Sequence, residues 1–382
     1  MKVANITITI NKLAKETFQL KKQTNVPQSD VFAEALLQRT IKTTLSEDIQ
    51  PKIYQKKVLI TGAGGSIGSE ICRQVYALQP AEIILVGHGE NSIYLIQHEL
   101  MNWTNQTIKI TAAIQEIQDK KGIRRLMEKV QPDFVFHAAA HKHVPLMQNN
   151  PHSAVANNII GTKNVAEAAG EVGVETFVLV STDKAVEPQN VMGASKRIAE
   201  MIVAHLNNKY VTNYTTVRFG NVLASRGSVV PLFLKQIEKG GPLTLTDPEM
   251  TRYFMTIEEA ASLVVKAGTM TNGGDIFVLN MGDAVKIKDI AERLITMSDK
   301  QNIAIQYTGI RDGEKLHEGL LEMEERVQME ETEEMFIGKA VITAEYLIDD
   351  LLLNYENLAK EALTIALLKI ANRHKAHIPM EV

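Results

Sequence analysis

A single cysteine, Cys72, stands among 382 residues, so neither a disulfide framework nor a thiolate zinc site can form. No metal is expected, and the chain suits a reducing compartment such as the cytoplasm. Long apolar runs are also missing. Nothing approaches the roughly 20 residues needed to cross a bilayer, and the opening MKVANITITINKLAKETFQLKK lacks a continuous apolar signal core. The expectation is a soluble protein with no membrane span. Charge of one sign is equally scarce: 41 Lys and Arg stand against 45 Asp and Glu, a net −4 spread along the chain. No basic surface of the kind that governs nucleic-acid affinity results, which argues against a nucleic-acid partner. No internal repeat or low-complexity tract is visible.

What the chain does contain is a 45% hydrophobic fraction, ample for a large core. β-Branched apolar runs recur at VLIT near 58, EIILV near 82, IKITAAI near 108, DFVFHAAA near 133, TFVLVST near 176, YTTVRFG near 214 and DIFVLN near 275. Helical patterns separate most of them. That alternation predicts an α/β fold, a doubly wound parallel sheet of the Rossmann kind. Residues 1–50 read as an arm, 51–225 as the dinucleotide-binding domain with its sheet completed by about 271–285, 226–340 as mainly a smaller substrate-binding lobe, and 341–382 as a helical tail.

VLITGAGGSIGSEI sets Gly62, Gly65 and Gly68 after a strand and at the opening of a helix. Glycine permits a tight turn and close approach of backbone to a pyrophosphate, and the helix start offers unpaired N–H groups. A dinucleotide is expected on this turn, with Ser66 and Ile67 beside it. An ordinary strand-to-helix loop is the bland alternative. The spacing, preceded by Thr61, resembles the extended short-chain dehydrogenase/reductase superfamily. After the second strand, Gly87 occupies the place where an acidic ribose reader is commonest; Glu90, with Asn91, can substitute. No Arg stands nearby for a 2′-phosphate, so the reading favours NAD and leaves NADP open. Glu116 and Ile117 follow the third strand where adenine is expected. Ala138, Ala139 and Ala140 are small enough to lie along flat rings, and Asn158 is a further candidate cofactor contact. His141, Lys142 and His143 are candidates for nicotinamide ribose or substrate, or else belong to a solvated loop.

Seven separated stretches, TGAGGSIGSEI, FHAAAHKHVPLM, NNIIGTKNV, STDKAVEPQNVMGASKR, VRFGNVLASRGSVVPLF, TRYFMTIEEA and GIRDGEKLHE, resemble the UDP-N-acetylglucosamine 4,6-dehydratases of the polysaccharide-biosynthesis family. They run in the family's order from 56 to about 320. The resemblance implies hydride transfer from sugar C4 to NAD, loss of water across C5 and C6, and return of the hydride to C6. It implies that Thr182 binds the C4 oxygen, that Asp183 protonates the C6 hydroxyl and that Lys184 takes the C5 proton. An Asp beside a Lys keeps both charged when they touch, so these roles require the two side chains to diverge. Without the family, STDK also reads as a turn with a surface ion pair.

Lys196 falls where the superfamily expects its lysine, but Met192, four residues before it, replaces the usual tyrosine. Both lie on one helix face. Lys196 can hold the nicotinamide ribose; Met192 can move no proton and shapes the pocket wall. Proton work therefore passes to the 182–184 stretch, with a water near Thr182. The large branch of the family is similar in carrying Met, from which retention at C5 is expected. Asn221, Arg226, Arg252, Arg311 and Glu314 are candidates for the UDP end, as cationic forks and a ribose acceptor. The resemblance also implies a homo-oligomer. Two other readings stay open: a UDP-sugar C4-epimerase, which needs no acid at C6, and a non-catalytic dinucleotide-sensing module.

Overall fold

The structure is a computed structural model that describes residues 28–42, 49–103, 107–298, 300, 302–326, 329–332, 334–340 and 345–373. Nine strands form the main sheet: β1 Lys57–Thr61, β2 Glu82–Gly87, β3 Lys109–Ile114, β4 Phe134–His137, β5 Thr176–Val180, β6 Asn213–Arg218, β7 Asp275–Leu279, β8 Glu330–Glu331 and β9 Met335–Lys339. Their order is β8-β9-β7-β6-β5-β4-β1-β2-β3. β1 to β7 are mutually parallel, and β8 and β9 are antiparallel. The seven apolar runs supply those seven parallel strands.

Apart from β3, whose residues are exposed or half-buried, the parallel strands are buried on both faces because their residues alternate between two cores. Val58 and Ile60 enter one cluster and Leu59 the other; Phe177 and Leu179 enter the second and Val178 the first. Helices of ten or more residues cover the faces. They are α1 Gln28–Leu37, α2 Ser66–Ala77, α3 Glu90–Met101, α4 Lys120–Val130, α5 Gly161–Glu171, α6 Val191–Asn207, α7 Val229–Glu238, α8 Ile257–Met270, α9 Ile287–Met297, α10 Glu345–Asn354 and α11 Lys360–Ala371. α2, α3 and α8 pack on one side, and α4, α5, α6, α10 and α11 on the other. The chain leaves β1 toward β2 and β3, then returns to β4 and runs outward the other way. The resulting switch point between β1 and β4 opens a crevice at their carboxyl ends.

A third cluster joins Phe32, Leu36 and Leu37 of α1 to Phe233 and Ile237 of α7 and Ile290 and Leu294 of α9. The described part of the expected arm is therefore built into the smaller lobe; residues 1–27 and 43–48 lie outside the described residues. Glu259 fastens it, closing a capping box with Thr256 at the start of α8 while accepting from Arg39 at 2.7 and 2.9 Å. Two elements sit outside the unit the sequence reading gave them. α8 and β9 fall within the expected lobe but belong to the sheet unit, because their apolar faces pack on β4, β5 and β7. The expected helical tail contains α10 and α11, both packed on α6. No helix of the described residues is long and apolar enough to cross a membrane.

Candidate active site

The glycine turn needs glycine for steric reasons. Gly62 sits at φ +66°, and a Cβ there would lie 2.8 Å from the Ala139 nitrogen; at Gly68 it would lie 2.1 Å from the Gly62 carbonyl oxygen. Gly65 caps α2, whose first N–H groups point to the crevice. A cleft follows, lined by Gly62, Gly64, Gly65, Glu116, Ile117, Ala138, Ala139, Ala140 and His141. Small side chains and a helix N-terminus along one groove fit a dinucleotide. Ser66 and Ile67 open α2, with Ile67 packed on the core. Glu90 and Asn91 are exposed; the wall beyond β2 is formed by His88, Gly89 and Ser92 instead. Asn158 is also placed differently from its expected cofactor contact. It is fully buried, with its amide bonded to the backbone of His141 and to Ser195, while its neighbour Asn157 lines the cleft.

β5 ends at Val180, and the next residues turn as a short 3₁₀ segment, Asp183–Ala185, capped by Thr182. Backbone bonds from Ser181 to Val217 and from Asp183 to Phe219 fix this turn against β6. Asp183 is fully buried; its Oδ1 accepts from Thr182 Oγ1 at 2.9 Å and from Lys184 Nζ at 3.0 Å. Lys184 Nζ also donates to Asn221 Oδ1 at 3.1 Å. The required divergence of Asp183 and Lys184 is thus not the arrangement seen: the two are paired.

α6 carries Met192 and Lys196, and 15 of its 17 residues are buried. It can approach the turn because residue 193 is glycine: a Cβ there would lie 2.2 Å from the Lys184 carbonyl oxygen. Asn190 caps the helix, accepting from Gly193 N–H at 2.8 Å. Met192 packs in the core. Lys196 Nζ donates to the Val180 carbonyl at 2.8 Å, and burial pulls its ammonium down to about 8, partly opposed by Glu200.

The cationic candidates separate. Arg226 borders the glycine cleft, its N–H donating to Ser66 Oγ at 3.2 Å, so it stands on the cofactor side and not with the other substrate candidates. Arg252 is buried and gives its guanidinium to the carbonyls of Thr251, Leu316 and Lys315 at 2.6 to 3.0 Å. It braces the 315–316 backbone and offers no open fork. Arg311 is exposed, and its N–H faces Glu314 Oε2 at 3.4 Å. This loop docks on the 186–190 segment: Asn190 donates to the Gly313 carbonyl at 2.9 Å and Lys315 to that of Val186 at 2.6 Å. Lys142 reaches Ser225 Oγ at 3.4 Å; burial, then the charges of Arg226 and Lys184, lower its proton affinity. His143 lies against Gly227 at the rim.

Two features escaped the sequence. His88, Gln115 and Gln118 line the cleft with no motif to flag them. Beneath α6, Arg197 and Arg218 meet Glu200, Glu322 and Glu325 in a fully buried ion network with contacts of 2.6 to 3.2 Å. Ser181, next to the 182–185 turn, donates to Glu200 at 2.6 Å.

The family model described as "Polysaccharide biosynthesis protein" matches residues 58–340. The probable polysaccharide biosynthesis protein EpsC of Bacillus subtilis is 56% identical over 314 residues, which cover 82% of this chain and 52% of that protein. The capsular polysaccharide biosynthesis protein CapD of Staphylococcus aureus is 49% identical over 385 residues, covering 95% and 63%. The chain thus spans only 52% and 63% of these two relatives. A UDP-N-acetylglucosamine 4,6-dehydratase (inverting) of Campylobacter jejuni is 36% identical over 69% of the chain and 77% of its own length. Among solved structures, Pen from Bacillus thuringiensis matches with TM-score 0.69 and 33% identity, covering 79% and 98%. UDP-glucose 4-epimerase of Thermus thermophilus, solved with NAD, shares the fold at TM-score 0.58 and 22% identity, covering 69% and 90%.

Proposed function

The chain belongs to the polysaccharide-biosynthesis protein family, and from that premise we propose that it is an NAD-dependent nucleotide-sugar 4,6-dehydratase acting on UDP-N-acetylglucosamine. One observation carries the reading: Thr182, Asp183 and Lys184 close the carboxyl end of β5 beside Lys196, at a position where Met192 leaves no phenol to do acid–base work. When bound, NAD accepts a hydride from sugar C4 and returns it to C6.

The rest falls to the chain. The glycine turn and the Ala138–Ala140 wall receive the dinucleotide, with Arg226 beside its phosphates. Lys196 orients the nicotinamide ribose. Thr182 hydrogen-bonds the C4 oxygen, Asp183 protonates the departing C6 hydroxyl, and Lys184 removes the C5 proton and returns one to the same face, which gives retention at C5. These roles need the Asp183–Lys184 pair to open when sugar enters. Arg311 and Glu314 hold the UDP end.

Incubation of the purified protein with NAD and UDP-N-acetylglucosamine is expected to give a sugar nucleotide lighter by one water. An unchanged mass would sink the proposal. A C4-epimerase is the second reading, favoured by the shared fold with UDP-glucose 4-epimerase; Asp183→Asn leaves such an enzyme nearly untouched and abolishes a dehydratase. Proton NMR of product formed in heavy water reads the C5 configuration.

A further inference from the structure

The segment after the Arg311 loop lays a buried carboxylate against the catalytic turn. Glu318 has a side chain only 4% exposed, and its nearest cations are distant: Lys315 Nζ at 3.7 Å from Oε2 and Arg252 Nη2 at 4.0 Å from Oε1. Its Oε2 has no hydrogen-bond partner, and neither does Asp183 Oδ2. A buried carboxylate oxygen left unmatched is costly unless something else is meant to meet it. The neighbourhood is fixed by backbone: Lys315 bonds the Val186 carbonyl, and a Cβ on Gly319 would touch Val186. The Lys315 ammonium that bonds the Val186 carbonyl is the one 3.7 Å from Glu318 Oε2, which sets the carboxylate beside the 183–187 stretch.

We propose that Glu318 is a positioning residue for Lys184: it draws the Lys184 ammonium off Asp183 and takes up one of its protons, so that a neutral amine faces sugar C5. The inference rests on the dehydratase reading. Protons balance over the cycle. The C4 hydroxyl proton ends on Asp183, and Asp183 gives one to the C6 oxygen as the C6–O bond breaks. Lys184, having passed a proton to Glu318, takes the C5 proton and returns it to C5; Glu318 then gives its proton back. Every group ends as it began.

The charges around Glu318 suit this exchange. Burial raises its proton affinity; Lys184 lowers it, Asp183 raises it, and Arg252 and Lys315 lower it. Glu314, 3.9 Å from Arg252, and Asp312 are the other carboxylates of the loop.

Two measurements test the proposal. In Glu318→Gln, kcat for water loss is expected to fall about 10²-fold with KM within threefold, and exchange of C5 hydrogen in heavy water to fall in parallel. Glu318→Asp recovers part of the loss. Unchanged kcat, or a change confined to KM and melting temperature, overturns the proposal. Without substrate, the ¹³C carboxyl resonance that Glu318→Gln removes is expected to titrate above the ordinary glutamate range, and higher still in Lys184→Met. A resonance unmoved by Lys184→Met overturns it too. Wild-type protein that releases no water sinks the dehydratase reading instead, and the titration still decides whether the two side chains are coupled.

Discussion

Two buried clusters of charge lie near Ser181, which bonds Glu200 of one and precedes Asp183 of the other, and they are built on different plans. In the network below α6, all six carboxylate oxygens of Glu200, Glu322 and Glu325 have donors, from Arg197, Arg218, Ser181 and the backbone N–H groups of Glu187 and Glu322. Burial alone would push Glu325 up, but the charge and hydrogen bonds of Arg218, joined by Arg197, bring it down to about 2. Around the 182–185 turn, by contrast, Asp183 and Glu318 each keep one unmatched oxygen. With every carboxylate oxygen matched and Arg197 Nε alone left without an acceptor, this network holds one arrangement, because any movement leaves an ion unpaired in low dielectric. An unsaturated one can rearrange. The first joins α6, β6 and the 322–325 segment into a frame; the second keeps oxygens that can take a new partner.

Asp183→Asn tests the open cluster with the largest effect: dehydration is expected to fall by about 10⁴ while the melting temperature holds. If the variant unfolds instead, the open cluster is structural and the contrast fails. Arg218→Met tests the closed one. Leaving Glu200 and Glu325 buried without their partner is expected to cost about 3–5 kcal/mol, read as a lower urea midpoint. An Arg218→Met protein of normal stability would break the comparison from the other side.

Lys196 sits between the two. Its ammonium titrates near 8 in the fold against 10.5 unfolded, so between those values the unfolded chain binds more protons and wild-type stability rises with pH. Lys196→Met is expected to flatten that rise and to gain about 1–3 kcal/mol at pH 7, while turnover collapses. Smallest is Gly193→Ala. Its methyl must push the Lys184 carbonyl away, so a loss of about 1–2 kcal/mol is expected with a disproportionate fall in kcat. Equal scaling of both would show that the turn tolerates displacement.

The parallel sheet was legible because a strand buried on both faces must be a continuous apolar run, as VLIT and TFVLV are. β8 and β9 were not, since an antiparallel edge made of EE and MFIGK carries no such run. The glycine turn and the 182–184 stretch were readable as local patterns. Glu318 and the Arg197–Arg218 network were not, because their partners lie up to 128 residues apart and only folding brings them together. Asp183 and Lys184 could be named, yet their pairing also depends on Asn221, 37 residues away in the chain, which shares the Lys184 ammonium and which no one-dimensional pattern brings to it.

α11 ends in a clasp. Asn372 donates to the Pro188 carbonyl at 3.0 Å, in the connection between the catalytic turn and α6. If the proposed sugar nucleotide shifts that connection on binding, the bond carries the shift to α11. A fluorophore near the end of α11 would then report occupancy from a surface some distance from the chemistry, without touching a single residue that performs it.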